Sequence, residues 1–494
     1  MRANATGPGG VSALEGNVAT VTRRLERVLQ EEAPSWGVRP VPLEVRRLSG
    51  LDFAVLWGDL GVGLLVLVTG ALLVPALSLP EAVLAIVLGS VIGCVPLALV
   101  GMAGAREGVP GMVLLRPTLG IRGSYVPTVL NIAQLVGWTA FEFWAMALVA
   151  SRITGPLFGV DSFHIWLGVA AIVCLLLSLG GPVLVVRRWM ERFGAWVIAA
   201  VAAWITFRLW TTADIGNLWL RPGTGGFPSF WNAVDLAIVM PVSWIPLVAD
   251  YSRFARRGVS SAGGTYAGYL VANVWFYALG ALLILGAGAT EPSVTGIADG
   301  IVGLAGGTLL LIALLVGETD EAFADIYSAA VSTQNLAPRL NQRAMIVGVS
   351  VLGVAIGAWL FRQPGEGIFA YESFLFLIGS IFVPLFAVFV ADYFVLGRRR
   401  PYRKQSLFDP RGPYRFAAGF RLEALGAWIA GFAVYHWVLP TGPAGWVQRV
   451  TDLTGGPLFG GNAPASIVSF AVAFGIFLLL GLATRRRSIR AEAP

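Results

Sequence analysis

Charge is what this chain has least of. Aspartate, glutamate, lysine and arginine make up 13% of its 494 residues, against 56% apolar residues. Soluble domains carry roughly 25% charged residues, so a chain like this is read as a polytopic membrane protein and not as two or three soluble domains. Lysine is rarer still: Lys404 is the single one, and Gln405 follows it. A phosphate-binding loop needs Gly-Lys-Ser/Thr, so no nucleotide energises the protein directly. The two cysteines, Cys94 and Cys174, lie in apolar segments without disulfide or zinc spacing and read as small buried hydrophobes. The two histidines, His164 and His436, fall near helix ends and read as interfacial side chains, so no metal site and no cofactor are expected. A cleavable signal peptide is also missing, because residues 1–50 are polar and the following apolar run is too long for an h-region.

What the chain does have is apolar runs punctuated by turns and charge. Hydropathy places twelve spans near residues 51–77, 82–105, 123–150, 163–182, 189–210, 232–252, 264–288, 303–336, 344–361, 367–396, 420–439 and 462–484. The net charge of +7 raises the idea of a nucleic-acid partner, but the basic residues lie between apolar runs, where they orient helices. With the N-terminus in the cytoplasm, all but five of the 35 basic residues fall on that side. The exceptions are Arg152, Arg208, Arg221, Arg362 and Arg449. One missed span would invert every later loop, so this asymmetry supports twelve spans, both termini cytoplasmic and a place in the plasma (inner) membrane. The polar tail is expected to be weakly ordered, with a short amphipathic helix around residues 18–32. Arg398-Arg399-Arg400 reads as a topology anchor facing anionic lipid.

Against this apolar background the eighth span carries Glu318, Asp320, Glu321 and Asp325. A charged group at mid-bilayer costs roughly 2.5 to 3.5 kcal/mol even on lenient insertion scales and marks a functional site by default. On a helix Glu318, Glu321 and Asp325 fall within about 60° of one another, while Asp320 points roughly the other way. One helix thus offers acids in two directions, which suits a carrier with a solute on one side and a cation on the other. The first span reads Trp57-Gly58-Asp59-Leu60-Gly61-Val62-Gly63, and the sixth reads Met240-Pro241-Val242-Ser243-Trp244-Ile245-Pro246. Glycine frees the backbone and proline removes a donor, so both spans are expected to break, as carriers break helices to build their sites. Five spans apart, the breaks suggest two five-helix repeats with two helices appended. Asp59 either stands near ion or solute, or pairs with an eighth-span group. In the third span Trp138 and Glu142 are four residues apart on one face, an aromatic plane beside a hydrogen-bonding carboxylate. Asp250 with Arg253 and Arg256, at the end of the sixth span, reads as a structural ion pair or gate latch.

These residues also carry a resemblance. The chain, from about Val41 to the end of the tenth span, resembles the nucleobase:cation symporter-1 family, and within it the cytosine and hydroxymethylpyrimidine permeases. The resemblance rests on the segment from Leu56-Trp57 to Thr69-Gly70, on Leu135-Val136-Gly137-Trp138, and on Met240 to Trp244 leading into Asp250-Tyr251-Ser252-Arg253-Phe254. It continues through Ala324-Asp325-Ile326-Tyr327-Ser328-Ala329 and Gly379 to Pro384, followed by Ala391-Asp392-Tyr393-Phe394. It implies an all-α polytopic fold of twelve transmembrane helices: a 5+5 inverted-repeat (LeuT-like) core with broken helices 1 and 6, plus two extra helices. It implies solute between spans 1, 3, 6 and 8, and the coupling cation between spans 1 and 8. The family's stacking tryptophan and amide partner fall on Trp138 and Glu142. Its span-8 asparagines fall on Glu321 and Asp325, and its sodium ligands on Thr319, Asp320 and the carbonyl of Val316. The broken first span adds Asp59, Leu60 and Gly63 on the cation side, and Ser243 and Trp244 border the solute. A stacking tryptophan of some members aligns near Pro241, not on Trp244. Where the family has amides and a hydroxyl, this chain has Glu142, Asp325 and Asp320. Carboxylates so placed cannot all stay ionised cheaply, which favours proton coupling at least as much as sodium coupling.

The expected organisation follows: a tail over 1–48, a ten-helix core over 49–396 (repeats 49–212 and 230–396), a basic loop over 397–419, two accessory helices over 420–484 and a tail over 485–494. The expected activity is secondary active import of a flat aminopyrimidine-like solute with H+ or Na+ by a monomer or weak oligomer. An amino-acid/cation symporter of the same fold is the nearest alternative. A channel should show a repeated charged or carbonyl ring, and a membrane enzyme a nucleophile–base pair or metal spacing; neither pattern is present.

Overall fold

The computed structural model describes residues 37–180, 194–287, 291–363, 367–397 and 402–491, and these are almost wholly helical. The expected tail helix over 18–32 and the Arg398 to Arg400 anchor lie outside them. The first span is two helices, α1 (Gly50–Asp59) and α2 (Leu64–Ala71), meeting at 61°. A capping box between Ser49 and Asp52 starts α1. The chain then unwinds through its glycines, and Gly63 is fully extended. Five helices follow: α3 (Leu79–Glu107), α4 (Tyr125–Phe158), α5 (Phe163–Gly180), α6 (Ala195–Thr212) and α7 (Phe230–Ser243). The core continues with α8 (Ile245–Ser252), α9 (Gly258–Gly286), α10 (Val294–Val302), α11 (Gly307–Leu336), α12 (Gln342–Leu360) and α13 (Ile368–Val390). The last three are α14 (Leu422–Val438), α15 (Ala444–Thr454) and α16 (Ala465–Ala491).

Each of the twelve expected spans coincides with a helix or helix pair. By length and apolarity alone, eight qualify as membrane-crossing among the described residues, or nine with the bent first pair counted as one. Helix α11 falls outside that group because it carries four carboxylates. The sixth span departs from expectation in degree. It is interrupted at Trp244, where Pro246 has no N–H to give to Val242 and the Trp244 N–H takes that carbonyl instead. Yet Trp244 keeps helical dihedrals, and the first span is the one pair bent by more than 40° among the described residues.

Packing shows the inverted repeat directly. Helix α1 lies along α9 as α7 lies along α3, and α4 and α11 pair at the centre. Glycines make both close contacts possible. A Cβ on Gly264 or Gly268 of α9 would sit 2.1 or 2.2 Å from carbonyls of α1, and one on Gly89 or Gly93 of α3 would sit 2.5 or 2.7 Å from carbonyls of α7.

Loop contacts sort to two ends. At one, Val41 bonds Gly108, Leu48 pairs with Phe254 and Arg256, and Arg116 donates to the Asn335 side chain and the Leu407 carbonyl. At the other, Arg152 and Asp299 form an exposed ion pair at 2.7 Å, and Thr224 bonds Pro75. The loops named here fall at the ends that alternation along the described helices requires. Residues 37–48 are therefore packed against the core instead of loose: the buried Arg46 donates to the carbonyls of Val41 and Ala105. His164 is exposed as expected, but His436 is buried and accepts from the Trp446 indole at 3.2 Å. Both cysteines are free and buried. The two final spans are tied to the core by Asp235 of α7, whose oxygens accept the N–H groups of Ala465 at 2.7 Å and Ser466 at 2.9 Å, at the start of α16.

Candidate functional site

The break in the first span aims its new N-terminus at α11. The Leu64 N–H, the first of α2, donates to Glu318 Oε2 at 2.8 Å. This satisfies one of the donors a helix start leaves open and puts a negative group at the positive end of α2. Gly63 precedes it, and a Cβ there would lie 2.3 Å from Glu321 Oε1 and 3.1 Å from Glu318 Oε2. The acids of α11 thus press on bare backbone, which explains a glycine where its dihedrals would suit any residue.

From the opposite side α4 contributes Glu142. Carboxylate oxygens of Glu142, Glu318 and Glu321 all lie within 4.8 Å of one another, and all three residues are buried. Glu142 Oε2, Glu318 Oε1 and Glu321 Oε1 lack a hydrogen-bond partner, as do both oxygens of Asp325 one turn along α11. Among the described residues no arginine or lysine pairs with these four acids. Three charges so close repel strongly in a medium that screens poorly, and they persist together only with protons or a positive ligand among them.

Trp138 stands one turn before Glu142 on α4, with Tyr371 and Phe374 of α13 edge-on at 6.0 and 5.3 Å. Tyr371 is fixed by its hydroxyl, which meets Leu65 O at 3.0 Å and Thr69 Oγ1 at 2.8 Å, so α13 and α2 hold the aromatic wall together. One turn before Trp138 lies Gln134, whose amide nitrogen donates to Asn131 Oδ1 and to the Ser243 carbonyl at the interruption of the sixth span. Its Oε1 is buried without a partner. Gln134, Trp138 and Glu142 therefore form one stripe on α4.

The remaining expected site residues make contacts of their own. The Ser243 hydroxyl donates to its own helix, at Met240 O, 2.7 Å away. Trp244 packs edge-on against Trp57 at 6.0 Å, and Trp57 in turn lies 6.2 Å from Tyr269. On the far side of α11, Asp320 meets Asp59 of α1, so Asp59 faces an eighth-span group. Asp59 also lines a cavity of ≈ 250 Å³ with Val55, Gly58, Ile198, Ala202 and Trp275. Leu60 is buried at the end of α1, with its N–H bonded to Leu56 O. Thr319 donates to the Val316 carbonyl at 2.7 Å on a more exposed side of the helix, where Val316 is 41% exposed. Asp250 and Arg253 form no ion pair: Asp250 Oδ1 accepts from the Gly111 N–H at 2.9 Å, while Arg253 donates to Tyr327 and to the Gly37 carbonyl.

Three contributors were not assigned a role from sequence. Glu318 was visible in the acidic run, Gln134 by its four-residue spacing from Trp138, and Tyr371 had no local signal.

Comparison with known proteins agrees with this architecture. Residues 40–455 match the family model described as permease for cytosine/purines, uracil, thiamine, allantoin. The hydantoin permease of Microbacterium maritypicum is 23% identical over 416 residues, 80% of this chain and 82% of that one. The cytosine permease of Escherichia coli (strain K12) is 24% identical over 391 residues, 75% of this chain and 81% of that one. Among solved structures, the nucleobase-cation-symport-1 family transporter Mhp1, closed with bromovinylhydantoin bound, superposes with a TM-score of 0.75 at 20% identity, covering 92% of this chain and 96% of that one. A family match over most of the chain, on a fold whose two repeats and broken first helix are present, places the protein among the multi-pass membrane permeases of the nucleobase:cation symporter-1 family.

Proposed function

We propose that this protein is a secondary active symporter that imports a nucleobase-like heterocycle, of the cytosine or hydroxymethylpyrimidine type, coupled to H+ or Na+ by alternating access. One observation carries the reading: Glu142, Glu318 and Glu321 converge within 4.8 Å at the break of the first span, one helical turn from Trp138. The aromatic plane suits a flat ring and the carboxylates suit its N–H groups. Burial of these acids to 4% exposure or less fits a conformation sealed from both faces, through which alternating access must pass. Asp59 and Asp320, on the other flank of α11, supply hard oxygen ligands or proton carriers for the coupling ion.

The test is a thermal-shift panel of nucleobases and thiamine precursors on purified protein, followed by uptake into proteoliposomes. A ligand found in the panel is expected to bind at least roughly tenfold more weakly to Glu142→Gln and to Asp325→Asn, since each loses a charge-assisted hydrogen bond. Unchanged binding in both variants removes the site assignment. Uptake at fixed pH with and without sodium, and with a protonophore, separates the two coupling ions.

A further inference from the structure

We infer that the solute occupies this site as a cation: a flat heterocycle whose amidine nitrogens carry a proton, with Glu142 and Glu321 as its counter-charges. The inference rests on the symporter reading and narrows its substrate class.

The buried polar atoms left open around the carboxylates are acceptors. Glu142 Oε2, Glu318 Oε1, Glu321 Oε1 and both Asp325 oxygens are buried and unpartnered. Gln134 adds an independent signal. Its amide donates through nitrogen to Asn131 and Ser243, so the atom left open on the stripe it shares with Trp138 and Glu142 is the acceptor Oε1. The Tyr371 hydroxyl, within reach of a ring in front of Trp138, already meets Leu65 and Thr69.

A neutral dione ring could donate one N–H to a carboxylate but would turn a flanking carbonyl oxygen toward the second carboxylate oxygen. A ring with an amidinium edge presents two parallel N–H donors, which match a carboxylate in the bidentate way guanidinium does. Its charge neutralises part of the cluster, and its face suits a tryptophan. A bare metal ion would satisfy the glutamates but leave no reason for the aromatic wall of Trp138, Tyr371 and Phe374. Asp325, buried one helical turn from Glu321 on α11, extends the negative field along the ring.

The experiment compares three probes on purified wild-type protein by thermal shift and calorimetry: 2-aminoimidazole, a flat ring protonated at neutral pH that sets its amino and ring N–H donors side by side, neutral 4-aminopyrimidine, and uracil. The charged probe should bind at least roughly tenfold tighter than uracil. Glu142→Gln and Glu321→Gln should each weaken the charged probe more than uracil. If one variant fails to fold, the other and the wild-type comparison still decide. Uracil binding as tightly as the charged probe overturns the inference, as does stabilisation by Mn2+ or Mg2+ alone with no response to the charged probe. Saturable, gradient-driven uptake of a neutral base with no preference for the cation refutes this inference and leaves the symporter standing. Absence of binding by every heterocycle refutes both.

Discussion

Gly63 shows how a single hydrogen atom in place of a side chain decides the site. Its dihedrals are ordinary, but a methyl group would fall 2.3 Å from Glu321 Oε1. Gly63→Ala should therefore push Glu321 and Glu318 apart, lower stability by about 1–3 kcal/mol through overpacking and abolish transport. Thermal melting and proteoliposome uptake would both register it; unchanged uptake would mean that the break does not shape the site. Much of the residue-level chemistry was legible beforehand. Carboxylates in an apolar run are costly enough to announce themselves, and the helical period separated Asp320 from the others. What stayed hidden was tertiary. Nothing near Tyr371 in sequence says that its hydroxyl will meet Leu65, and nothing near Glu318 says that the Leu64 N–H will reach it across 254 positions.

Among the helices, close approach depends on where glycine falls. Gly268→Ala would place a Cβ 2.2 Å from Ala54 O, and Gly89→Ala one 2.5 Å from Val234 O. Each should destabilise by about 1–3 kcal/mol, because backbone on both sides cannot give way. Gly263, in the same helix as Gly268, has no neighbour within 4 Å of a built Cβ. Gly263→Ala should be neutral or stabilising by up to about 1 kcal/mol, from helix propensity alone. Melting temperatures of the three variants in one detergent make the comparison; equal losses would refute the paired-repeat packing. The helix pattern was readable because apolar length and turn residues act locally. The shape of the sixth span was not, since two prolines foretell missing donors but not how far neighbours hold the pieces in line. Here α3 and α13 flank α7, and the span bends by less than 40°.

Over the whole molecule, the two ends are built differently. One is bound by buried arginines: Arg116 joins Asn335 of α11 to Leu407 of the basic loop and lies over the Phe408 ring at 5.1 Å. Arg116→Ala should cost about 1.5–3 kcal/mol, the range for hydrogen bonds to a charged group. The other end has the Arg152–Asp299 pair, more than half exposed, and Arg152→Ala should change stability by less than about 1 kcal/mol. Denaturant or thermal unfolding of both variants tests the contrast, and a larger loss for Arg152→Ala would reverse the assignment of the firmer end. The sequence located these ends through its arginines but could not say which would be knitted to backbone.

The clasp between Asp235 and the first turn of α16 reaches further than its two hydrogen bonds. Because the carboxylate grips main chain instead of a side chain, no substitution in α16 short of proline can release it. Any tilt of α7 in a transport cycle that leaves this clasp intact carries the start of the final helix with it, like an outrigger lashed to the hull.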